Sequence, residues 1–382
     1  MNINFVSLAK EPEDRKSWSG TPYMVLKSLE KMGHCVSLLN YMPPIPPIFH
    51  RIIIKVYSLL GKITNKQYLY WFTNLFQRIL KKEYSSTYIP QADLTFVVGQ
   101  SFLIPPMLPL NTPIVFLCDA TFSAVENYYP EFSNIFNVTS RQGNSICKLA
   151  LENSSKIIMS SEWAKSHAIN DYNIPADKIS VVEFGANLTC SKIGNISRSY
   201  KEISRYRILF SGVHWERKGG RIAIECCDEL VRLGYNIQLI VAGVDVPKEF
   251  QREYILPVGF LNKNNLTEYD EYIKILENAH LLLFPSKAEC SAITLCEAAG
   301  FALPVFAYET GGLANYIHDG YNGRLLDIKC GGDAFASAIE LAIRTGDIQR
   351  FSDNASNLYH ERLNWGKWRS RVETIINEIC EK

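Results

Sequence analysis

Residues 280–300 read HLLLFPSKAECSAITLCEAAG. The first part, HLLLFPS, is a short continuous apolar run closed by proline and serine, which predicts a strand buried on both faces. The remainder has the small, apolar character of a buried helix, expected over 291–300 with Ser291 as its N-cap. A buried strand handing over to a buried helix is the repeating unit of a parallel α/β sheet. Two carboxylates stand in this unit. Glu289 falls in the loop, and Glu297 falls about a turn and a half into the helix, on the order of 8 Å along it. Residues 288–300 hold no basic residue to neutralise either one. Two glutamates on an exposed helix would need no function, but the flanking residues are too apolar for that. A carboxylate only accepts hydrogen bonds, so it suits the hydroxyl groups of a sugar or a ribose.

The same alternation runs along the chain in both directions. NINFVSL (2–8), CVSLLN (35–40), DLTFVVG (93–99), PIVFLCD (113–119), KIIMSS (156–161) and KISVVEFG (178–185) read as strands, with helical patterns over 20–33 and 161–173. Residues 190–205 are polar and serine-rich and read as a linker. The pattern then restarts with strands YRILFSG (206–212), IQLIVAG (237–243), YILPVGF (254–260), HLLLFPS and PVFAY (304–308). Helices are expected over 221–234, near 266–278 and through the C-terminal region. The predicted architecture is α/β: two doubly wound, Rossmann-like domains facing a cleft, 1–190 and 206–358, with 191–205 between them and 359–382 as a final helix. Open parallel sheets take ligands at the carboxyl ends of their strands, so the loops at those ends are the candidate sites.

Composition narrows the class. The 382 residues are 47% hydrophobic and 21% charged with a net charge of +1, which excludes a polyelectrolyte binder and predicts no nucleic-acid partner. Ten cysteines form no CxxC pair and lie mostly in apolar runs, as buried reduced thiols of a cytoplasmic protein do. The N-terminus lacks a basic region followed by a long apolar core, and no uncharged apolar stretch reaches ~18 residues, so neither a signal peptide nor a spanning helix is expected. Basic charge is concentrated in 42–82, which holds Arg51, Lys55, Lys62, Lys66, Arg78, Lys81 and Lys82 and no acidic residue. FHRIIIKVYSLLGK (49–62) predicts an amphipathic helix. It either rests on an anionic membrane surface or packs its apolar face on the sheet and leaves its cations in water.

Three further stretches suit anions. Strand YRILFSG runs into VHWERKGGRIAI (213–224), where glycines allow close backbone approach and Arg217 and Lys218 add charge to a helix N-terminus. Phosphate or diphosphate is one guest for such a turn; a solvated Arg-Lys pair is the other reading. Neither GxGxxG nor GxxxxGK[ST] occurs. CSAIT (290–294) brings amide N–H groups to a helix start. Thr310-Gly311-Gly312 follows a strand and opens another helix, and HDGYNGRLL (318–326) reads as a tight turn.

Taken together, residues 206–327 resemble the C-terminal domain of glycosyltransferase family 4, the retaining group with the GT-B fold. Glu289 and Glu297 match its E-x7-E motif, Lys218-Gly219 its Lys-Gly, and ETGG with HDGYNGRLL its next strand-end stretch; GAN (185–187) is similar to the end of its first domain. The wording WERKGG resembles a bacterial subgroup. The resemblance implies a metal-independent, hexosyltransferase-like enzyme without a resident cofactor, whose substrate is a UDP- or GDP-sugar. Glu297 would hold the ribose and Glu289 the donor sugar. Arg217, Lys218 and the backbone of Ser291, Ala292, Ile293 and Thr294 would bind the diphosphate. Gly259 and Phe260 would lie near the base, and Gly20 of WSGTP (18–22) would face the diphosphate and acceptor. It also implies that the final helix packs back on the first domain. The acceptor would be a lipid-linked or cell-surface glycan, met at the inner face of the plasma membrane.

Some positions depart from the family. Val213 stands where many members carry arginine, ECSA replaces E-G-F-G so that Ala292 takes a glycine's place, and CDAT (118–121) stands where a histidine is common. Asp119 or Thr121 would take over that positioning role; a buried N-cap aspartate is the competing reading of Asp119. No D-x-D pair occurs, and a diphosphate held without metal is expected. A catalytically silent nucleotide-sugar-binding scaffold and a sugar-nucleotide epimerase are the alternative functions.

Overall fold

The computed structural model describes residues 1–7, 14–40, 48–108 and 110–380. It divides into two compact units: one comprises Met1–Ser17, Pro22–Val182 and the chain from Arg369, the other Trp18–Thr21 and Glu183–Trp368. Each has its own sheet and its own core.

The first unit is built on six parallel strands: β1 (Asn2–Ser7), β2 (Cys35–Asn40), β3 (Leu94–Val98), β4 (Ile114–Cys118), β5 (Lys156–Met159) and β6 (Ile179–Val181), in the order β2-β1-β3-β4-β5-β6. Every residue of β3 and β4 is buried, which is why both read as unbroken apolar runs. Between the strands lie α1 (Thr21–Lys31), α2 (Ile48–Thr64), α3 (Asn74–Ser86), α4 (Phe122–Val125), α5 (Asn137–Asn153) and α6 (Glu162–Tyr172). Ser161 caps α6 by accepting from the Ala164 N–H, and Asn173 ends it in the left-handed region. The cap of α4 is Thr121, not Asp119, so the capping role read for Asp119 belongs to its neighbour two residues on.

The second unit repeats the plan with β7 (Tyr206–Ser211), β8 (Ile237–Ala242), β9 (Ile255–Gly259), β10 (Leu281–Phe284), β11 (Val305–Tyr308) and β12 (Gly323–Leu326), in the order β12-β11-β10-β7-β8-β9. Its helices are α7 (Trp215–Lys218), α8 (Gly220–Arg232), α9 (Leu266–Asn278), α10 (Ile293–Gly300), α11 (Gly332–Thr345) and α12 (Asp347–Glu361); α13 (Trp365–Cys380) follows. The sheet is covered on both faces. Leu282 and Phe284 of β10 enter one apolar cluster with α9 and α10, while Leu281 and Leu283 enter another with α8 and α11.

Three local expectations change. The helix expected over 291–300 starts at Ile293, with Ala292 rather than Ser291 at the cap. HDGYNGRLL is a turn only in its first half: Gly323–Leu326 pairs with β11 as an edge strand. Thr310-Gly311-Gly312 leads into a single 3-10 turn, Leu313–Asn315. The stretch read as a linker is pinned along the second unit. Arg198 donates to the carbonyls of Phe301 at 2.7 Å, Leu276 at 2.6 Å, Glu277 at 3.1 Å and Ala279, and the Gly194 N–H donates to the Gly300 carbonyl at 2.7 Å.

Candidate functional site

In the second unit the chain runs outward from β7 through β8 to β9, then returns to place β10 on the other side of β7. That reversal is a topological switch point, where adjacent strand-end loops diverge and leave a crevice. The loop after β7 carries Arg217 and Lys218; the loop after β10 carries Glu289. The strand order therefore brings together residues more than seventy positions apart.

They converge on one atom. Oε1 of Glu289 accepts from Arg217 Nη1 at 2.9 Å, from Lys218 Nζ at 2.5 Å and from the Ser286 hydroxyl at 2.5 Å. Arg217 also donates to the Ala288 carbonyl at 2.9 Å, and its own carbonyl accepts from the Lys287 N–H at 2.9 Å, so the two loops are stitched side by side. The third strand-end loop joins through the Gly312 N–H, which donates to the Glu289 carbonyl at 3.1 Å. Glu289 is only 5% exposed, and Lys218 lies over the Phe284 ring at 4.6 Å. Burial pulls the Lys218 ammonium below its ordinary pKa, and Arg217 adds to that, while the Glu289 carboxylate opposes both. Two cations and one carboxylate give this trio a formal charge of +1.

The glycines here serve the protein's own packing. Gly219 ends α7 in the left-handed region (φ 76°), and a Cβ there would lie 2.1 Å from the Pro285 carbonyl oxygen. A Cβ on Gly220 would meet the Trp215 ring at 2.3 Å. The close approach read from the sequence as room for a ligand is thus at these two positions an approach of β10's loop and of Trp215.

Ser291 and Ala292 precede the first turn of α10, and Ile293 and Thr294 open it. A helix start leaves amide N–H groups without intrahelical partners and carries partial positive charge. Beside it, the Ser291 Oγ is buried without a hydrogen-bond partner among the described residues.

Glu297 is 1% exposed, and its counter-charge is a residue the sequence reading missed. Lys263 Nζ donates to Oε1 at 2.5 Å and the Tyr272 hydroxyl to Oε2 at 2.8 Å, with the ammonium 4.8 Å from the Tyr272 ring centre. Burial, and then the adjacent carboxylate, raise the Tyr272 hydroxyl well above its ordinary pKa, so it stays a donor. Lys263 comes from the loop after β9, where no local pattern marks it. β9 ends at Gly259, left-handed at φ 73°, and the same loop starts at exposed Phe260.

Gly20 lies in the short segment that clusters with the second unit. Trp18, Ser19 and Gly20 are consecutively left-handed (φ 45°, 55° and 86°), a costly run for the two non-glycine residues. Asn187 of GAN holds it, donating to the Ser19 carbonyl at 2.8 Å and to the Thr21 hydroxyl at 3.3 Å and accepting from the Trp365 indole N–H at 3.0 Å. Asp119 is half-buried at the end of β4 in the first unit.

Residues 195–357 match the family described as glycosyl transferases group 1. The matched span contains Arg217, Lys218, Lys263, Glu289 and Glu297. Among curated proteins, the chain is 25% identical over 248 residues to an uncharacterized glycosyltransferase of Methanocaldococcus jannaschii, covering 63% of this chain and 64% of that one. It is 23% identical over 255 residues to the lipopolysaccharide 1,2-N-acetylglucosaminetransferase of Salmonella typhimurium, covering 60% and 64%. The chain thus spans under two thirds of the length of these two relatives. Among solved structures, a sucrose-phosphate synthase from Thermosynechococcus elongatus aligns over 99% of both chains with a TM-score of 0.68 at 15% identity. HepE of Anabaena in complex with UDP-glucose aligns over 99% of this chain and 100% of its own with a TM-score of 0.63 at 14% identity. At such identities the likeness is one of fold, and that fold, two six-stranded parallel sheets with flanking helices, is GT-B.

Proposed function

We propose that the protein is a retaining glycosyltransferase that moves a sugar from a UDP- or GDP-sugar to a hydroxyl group of a lipid-linked or cell-surface glycan. The observation that carries this reading is the convergence of Arg217, Lys218 and Glu289 at the switch point of a unit matched by the glycosyl transferases group 1 family. In this reading Glu297 accepts from the ribose hydroxyls and Glu289 from hydroxyls of the donor sugar. The diphosphate lies against the start of α10, where the orphaned Ser291 hydroxyl supplies a donor, and shares the two cations with Glu289.

The chemistry follows from charge. As the bond between the anomeric carbon and the phosphate oxygen breaks, its electron pair passes to the diphosphate. Arg217, Lys218 and the α10 amides stabilise that growing charge without reorganising. The acceptor hydroxyl attacks from the face the diphosphate leaves and gives its proton to a leaving phosphate oxygen, which preserves the anomeric configuration. No step needs a metal in this scheme. Asp119 takes over the positioning role that a histidine commonly has in the family.

The test is release of nucleoside diphosphate from a panel of UDP- and GDP-sugars, with and without acceptor, by wild type and by Lys218→Ala. The variant, checked for folding by circular dichroism, should lose at least ~10²–10³-fold in rate. Near wild-type turnover overturns the assignment. Isomerised donor without diphosphate release would point to an epimerase, and binding without turnover to a silent scaffold.

A further inference from the structure

The helix α2 buries none of its residues fully, although it is seventeen residues long and strongly apolar. At about 100° per residue its side chains sort into three sectors. Ile48, Phe49, Ile52, Val56, Leu59 and Ile63 share one sector of about 120°. All six are exposed, Ile48 at 75%, Phe49 at 66% and Ile63 at 82%. A second sector holds His50, Ile54, Tyr57 and Gly61 and faces the first unit. Tyr57 stacks on Tyr68 at 4.1 Å, His50 Nδ1 lies 3.1 Å from the Tyr70 hydroxyl, and Ile54 packs on the core. Arg51, Lys55 and Lys62 form the third, beside the exposed apolar sector, and none has a carboxylate partner among the described residues.

These sectors bear on both readings of the basic stretch, of which residues 42–47 lie outside the described residues. The helix does pack on the first unit, but through its narrow aromatic side. Its apolar side is turned outward, where water is a poor neighbour. What covers it must be apolar within and anionic at the rim, since the chain has no acidic residue from 31 to 82. A second copy of the same face would set cation against cation. A bilayer with anionic headgroups meets both demands: the apolar sector sinks to the acyl boundary while arginine and lysine reach the headgroups. No described helix is long and apolar enough to cross a membrane, and α2 carries three cations, so a bilayer would take it in its surface plane and not across it.

We propose that α2 is a membrane-surface anchor that binds anionic phospholipid bilayers through this outward face. The proposal does not rest on the transferase reading, and its test needs no sugar nucleotide. The full chain is sedimented with phosphatidylcholine vesicles with and without phosphatidylglycerol, at low and at physiological salt. It should pellet with the anionic vesicles, less at the higher salt, and remain in solution with the neutral ones. Arg51→Ser/Lys55→Ser/Lys62→Ser should lower partitioning on the order of 100-fold. Ile52→Asp/Leu59→Asp should abolish it at either salt. In the full chain carrying Leu59→Trp, the added indole emission should shift to the blue with anionic vesicles. Equal binding to both lipids, no binding at all, or an unshifted emission overturns the proposal. So does a dimer by light scattering that Leu59→Asp dissociates and that does not pellet. The wild-type comparison of the two lipids decides the matter even if a variant folds poorly.

Discussion

A carboxylate as deeply buried as Glu297 must find its counter-charge within the protein, because an unpaired charge there costs several kcal/mol. Lys263 and Tyr272 provide it. Removing one member of a buried pair leaves the other uncompensated, whereas removing both leaves little penalty. Lys263→Met should therefore lower stability by about 3 kcal/mol in urea denaturation. Adding Glu297→Gln to it should restore most of that loss. An additive double mutant would mean that the two groups do not depend on each other. The same logic explains Glu289, which takes both Arg217 and Lys218. The sequence shows that 288–300 lacks a base, and it marks Arg217 and Lys218 as cationic. It gives no sign that these two are the missing partners of Glu289, nor any mark on Lys263, because pairing is a property of space and not of spacing.

At the scale of elements, tight junctions are set by backbone approach. Gly219 joins α7 to α8 in the left-handed region with the Pro285 carbonyl beside it. Gly219→Ala adds both a conformational penalty and a clash, so unfolding stability should fall by at least about 2 kcal/mol. Activity should fall with it, since Arg217 and Lys218 precede the junction; an unchanged urea midpoint would contradict the geometry. Gly323 plays a comparable part in β12, where a Cβ would lie 1.9 Å from the Val305 carbonyl oxygen. That strand escaped the sequence reading because GRLL is short, begins with glycine and lacks the branched or aromatic residues that signal a strand. The long apolar strands and the helices capped by Ser161 and Asn265 carried such signals, and they are where local chemistry alone suffices.

Across the whole molecule, stability depends on groups that hold distant segments together. His280 accepts the Arg207 N–H at Nδ1, 2.8 Å away, which requires that nitrogen to be unprotonated. Burial, Arg198 and Arg207 hold its pKa at about 4 against an ordinary 6.5. The unfolded chain takes up this proton below pH 6.5 and the folded chain does not until near pH 4, so the contribution is complete above 6.5 and is lost as pH falls towards 4. His280 is only half-buried, so the loss should be about 1–2 kcal/mol after allowance for solvent screening. Urea denaturation at successive pH values should show this decline in wild type. It should be shallower in His280→Asn, which keeps an acceptor for Arg207 but cannot take up the proton; parallel curves would remove His280 from the account.

The sequence by itself determined two parallel α/β sheets, every strand within them except β12, and two acidic positions beside one strand end. It could do so because apolar runs and helical spacing are local consequences of burial. Only the tertiary structure decided that β10 returns to the side of β7, which sets Glu289 against cations 71 and 72 positions away and Glu297 against one 34 positions away. It also decided which side of α2 faces outward. Strand order and helix orientation are settled by long-range packing, and the period of a pattern along the chain carries no record of either.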